Sequence, residues 1–407
     1  MAQAMVADAE NDIKAEATLI ELIDNNKKIL NTRINKETIG KFVKMLKENK
    51  NEKFVNLLRA LCVCDGEAVV KNQTEMSFLI VQNEEIRNHL IYQHFRNNSG
   101  SMIEIRLKEY EAGSSEFWST IPMFQTTSKE MDNGENFKYF LSMIYLLSDL
   151  CLERNYIAIN YLKPIYTYDL CFRIISDNSL TLELRTAFVK LLNTLWIDKN
   201  PYQRLNIPRY LIAWDDINAN SCSEIASANL EPSRTKRFDG LKEYLKNYYV
   251  SLAKAGCTKI YEVENNKFTS VLLETTQLLV EFGLFQTIDQ LKELTKPLLV
   301  LLNGMKDAKS PSDFEQFRKS FKAPQRKSIR RRLFVKDTGT SEFDEKNGER
   351  YTENEDTLIV MNCKNQICEL MKVIMDINND LCLRKFLYEF KKDLEFQKDR
   401  EELSELK

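Results

Sequence analysis

The sequence predicts an all-α chain, an α-solenoid of stacked helical pairs with a short irregular or strand-bearing insertion and a disordered linker. Three observations carry this expectation. Glycine (11) and proline (8) are sparse while charged residues make up 29% of the 407 positions, which suits long amphipathic helices better than a turn-rich sheet protein. Apolar residues recur at helical spacing through most of the chain. The periodic segments are short and closely connected, the rhythm of an array in which each pair buries its apolar face against the next.

Residues 1–14 show no periodic pattern and are expected to be a disordered N-terminus. A first array segment is expected over 15–97. Ala17, Ile20 and Ile23 open a helix that runs to about Leu30, and Asn35 caps the next, whose apolar face is Phe42, Val43, Met45 and Leu46. A third helix is expected over 54–64. Leu57, Leu58, Leu61 and Cys62 share one face of it, and Gly66 supplies the left-handed residue that commonly ends a helix. Further helices over 68–81 and 84–96 lead to the break at Asn97-Asn98-Ser99-Gly100. Residues 98–134 form the insertion, where Ile103, Ile105 and Leu107 alternate with charged residues and predict one short strand in a long loop.

A second array segment is expected over 135–305. Its helices fall at 137–151, 156–162, 168–175 and 181–196, the last stopped by Asn200-Pro201. A connector of about 197–233 follows, then helices over 235–254, 266–282 and 287–302, the second closed by Gly283. Residues 306–356 are too polar to bury the apolar surface that ordering requires, so they read as a disordered charged linker. The chain closes over 357–407 with a C-terminal helical pair, 358–375 and 381–389, and a charged tail.

Charge excludes two classes of partner. The net charge of -2 comes from 58 basic and 60 acidic residues, so the chain as a whole has no field that would gather nucleic acid or coat a membrane. Cysteines set in apolar helical patterns, such as Cys62, Cys151 and Cys382, act as small buried hydrophobes and point to a reducing compartment. The N-terminus has no basic region followed by an apolar stretch, and no segment approaches the roughly 20 apolar residues that cross a bilayer. A soluble cytosolic chain without direct membrane insertion is expected.

Candidate chemistry is thin. Cys62-x-Cys64 brings two thiols close, but structural zinc sites separate paired cysteines by two to four residues and need two more ligands. His89 and His94 are five apart, where one helical face needs four. No metal site is expected, and these residues read as packing or surface groups. Asp215-Asp216 and Glu84-Glu85 read as solvated faces or caps. The chain has no Gly-rich phosphate loop, no Gly-x-Ser-x-Gly elbow and no kinase Asp-Phe-Gly, so no catalytic residue, no cofactor and no enzyme is expected. Ser328 follows Arg326 and Lys327 in the linker and is the candidate phosphorylation site: a phosphate there would add about -1.5 to -2 charge beside arginines. The plain reading is a solvated charged linker.

Several blocks, in order, resemble one family. They are ATLIELIDNNKKILNTRINKETIGKFVKMLKENKNEKFVNLLRALCV, then DGEAVVKNQ, then LLSDLCLERNYIAINYLKPIYTYDLCFRIISDNSLTLELRTAFVKLLNTLWIDKNP. Within the third, Cys151-Leu152-x-Arg154-x-Tyr156-x-Ala158-Ile159 and Leu184-Arg185 carry the spacing. VLLETTQLLVEFGLFQTIDQLKELTKPLL and the late FKKDL are further echoes. These blocks are similar to the homology region of inositol trisphosphate receptors and ryanodine receptors.

The resemblance implies an armadillo-like helical array on the cytosolic side of an endoplasmic reticulum calcium-release channel, relaying ligand binding towards the pore. It implies other domains or subunits of such a channel as partners. The family's basic inositol phosphate contacts, its β-trefoil modules and its Gly-rich pore filter have no matching positions here, so no inositol phosphate binding is expected. The chain reads either as part of a larger channel or as a short relative holding only the solenoid. The alternative from a different class is a freestanding cytosolic helical-repeat scaffold that binds peptides or channel subunits.

Overall fold

A computed structural model describes residues 20–23, 26–91, 95–97, 103–106, 118–131, 134–205, 235–254, 258–285, 287–303, 307, 308, 310, 312 and 354–405. The chain divides into two compact units at Asn200/Pro201, inside the stretch expected to form one second array. The preceding helix ends at Ile197, and Asn200-Pro201 marks the exit. Both units are built from stacked helices.

In the first unit, helices α1 (Lys27–Thr32), α2 (Lys36–Glu48) and α3 (Glu52–Cys62) follow one another closely. Their starts are encoded locally. Asn26, Asn35 and Asn51 each accept a backbone N–H in the first turn with the side-chain oxygen, satisfying one of the donors a helix leaves open. Phe42, Val43 and Leu46 are buried on α2, and Leu57, Leu58, Leu61 and Cys62 on α3.

The chain does not reverse through a helix cap at Gly66. The helix α3 stops at Cys62, and β1 (Val63–Cys64) pairs antiparallel with β2 (Glu67–Ala68), Cys64 opposite Glu67. Asp65 and Gly66 between them have φ of 53° and 78°, the two left-handed residues of a type I′ hairpin turn. A Cβ at Gly66 would meet nothing within 4 Å, so replacing it by alanine carries only the backbone strain. Gly66→Ala is expected to cost about 1–2 kcal/mol in thermal unfolding, and Gly66→Asn clearly less. Equal stability of both variants with the parent would show that this turn is not held left-handed.

Next come α4 (Val70–Met76), which runs into a π-helical turn at Ser77–Gln82, and α5 (Glu84–Leu90). The helix expected to reach residue 96 ends at Leu90, where Tyr139 donates its hydroxyl to the Leu90 carbonyl (2.9 Å) and buried Ile91 turns extended. Within the insertion the single expected strand proves to be the middle of three. β3 (Phe95–Asn97), β4 (Ile103–Arg106) and β5 (Trp118–Thr120) form an antiparallel sheet in that order, Phe95 opposite Ile105 and Arg106 opposite Trp118. Alternation marked only the central strand; the edge strands are three residues each, too short to show a period.

α6 (Ile121–Met131) leads into α7 (Glu135–Cys151), a 3₁₀ turn (Leu152–Arg154), α8 (Tyr156–Leu162), α9 (Tyr168–Ser176) and α10 (Leu182–Leu192), which ends in a second π-helical turn at Asn193–Ile197. α7 packs against α3 and α10, and is nearly all buried on the facing sides. It is the spine of this unit.

The second unit holds α11 (Asp239–Lys254), α12 (Val263–Glu281), α13 (Ile288–Leu301) and α14 (Glu355–Glu405). α11 packs on α13, and α12 packs on α14. Thr287 caps α13 by accepting the Gln290 N–H, and Gly283 follows α12 at φ 66°. The expected C-terminal helical pair is instead one helix of 51 residues. Across the stretch read as the break, Arg384 Nε lies 2.8 Å from Asp380 Oδ2, an i, i+4 ion pair that bridges adjacent helical turns.

Two residues within the stretch expected as linker are packed. Asp307 and Ala308 are buried, and Ala308 bonds Thr258 and Ile260 in a parallel bridge. The basic run with Ser328, the N-terminal 1–14, His94 and Asp215-Asp216 lie outside the described residues.

Candidate functional site

Among the described residues of the first unit, side-chain hydrogen bonds gather at a joint where DGEAVVKNQ meets the segment around LCLERN. It begins with packing: α3 lies along α7, and α4 sits beside both. Gln73, on the polar stretch Lys71–Glu75 of α4, is buried and donates Nε2 to the carbonyls of Asp149 (3.0 Å) and Leu152 (2.9 Å). It thereby caps the C-terminal end of α7, whose last carbonyls have no intrahelical donor. Glu153 accepts the Ala68 N–H (2.9 Å), tying β2 of the hairpin to the 3₁₀ turn.

The chain can make that turn because Glu153 and Arg154 both take left-handed backbone angles, φ 54° and 65°. Such angles cost a non-glycine residue about 1–2 kcal/mol each, and here the neighbours hold them. Arg154 donates Nε to Asp198 (2.8 Å) and Nη1 to Asn200 (3.1 Å). Asn155 donates to Ser77 Oγ and to the Leu150 carbonyl, both at 2.9 Å, while accepting the Ile157 N–H that starts α8. Ser77 in turn donates to the Gln73 carbonyl (2.7 Å), closing the loop back to α4.

An ion pair sits on the same joint. Arg59 on α3 donates Nε to Asp149 Oδ2 at 2.8 Å, with its guanidinium 4.7 Å from the centre of the Tyr145 ring. Burial pushes the Asp149 carboxyl above its ordinary range, and the Arg59 charge pulls the other way. The side chains remain 20% (Asp149) and 30% (Arg59) exposed, so the pair is a fastener at the joint's edge.

In the second unit a cavity of about 180 Å³ lies between the ends of α11, α12, α13 and α14. Leu252, Leu301, Val360 and Ile367 line its apolar side, and Lys259 and Lys364 bring charge to it. Each lysine meets a carboxylate: Lys259 pairs with Glu262 at 2.7 Å and Lys364 with Asp307 at 2.5 Å. Asp307 is fully buried, so this second pair bolts the strap of residues 307–308 to α14. Cys363, beside it, donates its thiol to the Asn266 carbonyl (3.3 Å), and burial pushes its pKa up to about 11.

The expected candidate residues fall apart as chemistry. Cys62 is the last residue of α3, with Sγ 3.3 Å from Met76 Sδ, and Cys64 is in β1; both are buried. Burial raises the Cys62, Cys151 and Cys171 thiols well above their usual range, which disfavours the reactive thiolate. His89 lies on the surface with Nε2 3.1 Å from the Lys47 carbonyl oxygen, and Glu85 pairs with Lys47 at 2.7 Å. Among the described residues no group of three or more His, Cys, Asp or Glu side chains could hold a metal ion. Among the same residues, no helix is long and apolar enough to cross a membrane.

The residues that do matter, Gln73, Asp149, Glu153 and Asn155, were not singled out by the sequence. Only Asp149 stands out as a polar residue inside an apolar helical block; Gln73, Glu153 and Asn155 lie in polar stretches that look like surface.

Fold and joint together define a helical-array protein with a hydrogen-bonded joint between helices of the first unit. Residues 2–88 match the family model described as the RIH domain. Over 310 residues, 72% of this chain, it is 24% identical to the inositol 1,4,5-trisphosphate receptor itr-1 of Caenorhabditis elegans. Over 209 residues, 51% of the chain, it is 24% identical to the inositol 1,4,5-trisphosphate receptor-like protein A of Dictyostelium discoideum. The matches span only 10% and 6% of those two relatives. Both relatives are named as receptors or receptor-like proteins.

Proposed function

We propose that this chain is a non-catalytic coupling solenoid of an intracellular calcium-release channel, on the cytosolic face of the endoplasmic reticulum. It acts through contacts with other domains or subunits of the channel and does not itself hold inositol phosphate. The observation that carries the reading is the joint. The two sequence blocks most like the receptors, DGEAVVKNQ and LCLERN, are the ones that bond to each other through Gln73, Glu153 and Asn155. A stacked array with a stiff joint passes a rotation at one end along to the next pair, because each helix contacts only its neighbours.

The test is to isolate endoplasmic reticulum membranes from cells carrying the tagged natural gene product and to ask what co-purifies. A calcium-release pore in the same complex, with agonist-evoked calcium release altered by Gln73→Leu, is the expected result. Recovery with soluble proteins alone, and unchanged release, would replace the channel reading with that of a freestanding scaffold.

A further inference from the structure

We propose that the segment Glu153–Tyr156 is a two-ended latch: it ties the β1–β2 hairpin to the place where the chain leaves the first unit, so that loosening either end loosens the other. Such a latch is the working part of the coupling solenoid proposed above, yet it belongs to this chain alone and is testable without a channel.

The two ends lie far apart in sequence. At one, Glu153 Oε1 accepts the N–H of Ala68, 85 residues away on β2. At the other, Arg154 donates Nε to Asp198, 44 residues away, and Nη1 to Asn200 Oδ1, while Tyr156 Oη accepts the Asn200 N–H at 2.8 Å. Asn200 is the last residue of the first unit. Between them Asn155 bonds inward to Ser77 Oγ and the Leu150 carbonyl, which fixes where the turn sits.

The backbone joins the two ends into one device. Glu153 (φ 54°, ψ 34°) and Arg154 (φ 65°) are both left-handed, a state disfavoured roughly ten-fold for each residue that carries a Cβ. Strain of this kind persists only where the surroundings over-determine it, and here the side-chain anchors do so. The two residues also share a peptide plane. When Glu153 loses Ala68 and relaxes to the right-handed region, its ψ turns that plane and swings the Arg154 side chain off Asp198. When Arg154 lets go first, its φ turns the same plane and draws Glu153 from the hairpin.

Each end carries its own reporter, the N–H of Ala68 and the N–H of Asn200, and residue-resolved hydrogen exchange of the purified chain reads both. Arg154→Ala is expected to quicken exchange at Ala68, an N–H that a guanidinium cannot accept. Glu153→Ala is expected to quicken exchange at Asn200, whose N–H goes to Tyr156. Each crossed effect should be roughly ten-fold, with the amides of α10 at parent rates. Glu153→Gln keeps an oxygen for the Ala68 N–H and is expected to leave Asn200 as in the parent. If either alanine variant quickens exchange at its own end alone, the ends are independent and the latch is overturned. A glutamine variant as fast at Asn200 as the alanine one overturns it too. So does quickening that runs through α10, since that is a general loosening of the fold.

Discussion

Replacing Lys364 by methionine is expected to lower the unfolding free energy of the second unit by about 3–5 kcal/mol, the usual consequence of removing one partner from a buried ion pair. Asp307 is fully buried and Lys364 is 11% exposed, so the variant removes the ammonium that meets this carboxylate in a place water does not reach. The carboxylate belongs to the strap that bonds Thr258 and Ile260, so the loss is expected to spread. Hydrogen exchange should quicken at 258–260 and along the first turns of α14. Adding Asp307→Leu should restore most of the loss, because two apolar groups of similar volume remove the buried charge. A single variant that costs less than about 1 kcal/mol, the range of exposed pairs, would mean that the strap is not fastened by this bond.

The second large effect is expected at the joint. Gln73→Leu keeps the volume and removes the amide that donates to Asp149 O and Leu152 O. Asp149 O also accepts from the Leu152 N–H, so the loss falls mainly on the Leu152 carbonyl. A cost of about 1–3 kcal/mol follows from leaving that part-buried acceptor without its donor. Gln73→Glu should be worse, since a carboxylate would point its oxygens at the same two carbonyls. Chemical denaturation ranks the three proteins, and exchange at 149–156 shows where the change sits. If Leu and Glu at this position prove equally mild, the amide contributes packing alone.

Both effects concern residues that composition and periodicity passed over, while other features were plain from the start. Asn35 sits where a cap was expected to sit and accepts the N–H group that a cap accepts. A cap is decided within three residues, so a reader of the chain sees all of it. Asp65-Gly66 was visible too, but its meaning was not. The same dipeptide ends a helix or turns a hairpin, and the choice came from the pairing of Val63 with Ala68 and from Glu153 reaching the Ala68 N–H. The C-terminal helix shows the reverse error: two helices were expected over 358–375 and 381–389, yet buried Ile377 and the Asp380–Arg384 pair lie within one continuous helix.

The sequence by itself determined the helical class, the caps, most helix positions and the likeness to the receptor homology region. These rest on interactions within a turn or two, which local spacing records. The tertiary structure alone decided which polar groups meet. Gln73 and the Asp149 carbonyl are 76 residues apart, Ala68 and Glu153 are 85, and Asp307 and Lys364 are 57. A buried amide or carboxylate is held in place only by the donor or charge that packing brings to it. No periodicity in the chain encodes that partner.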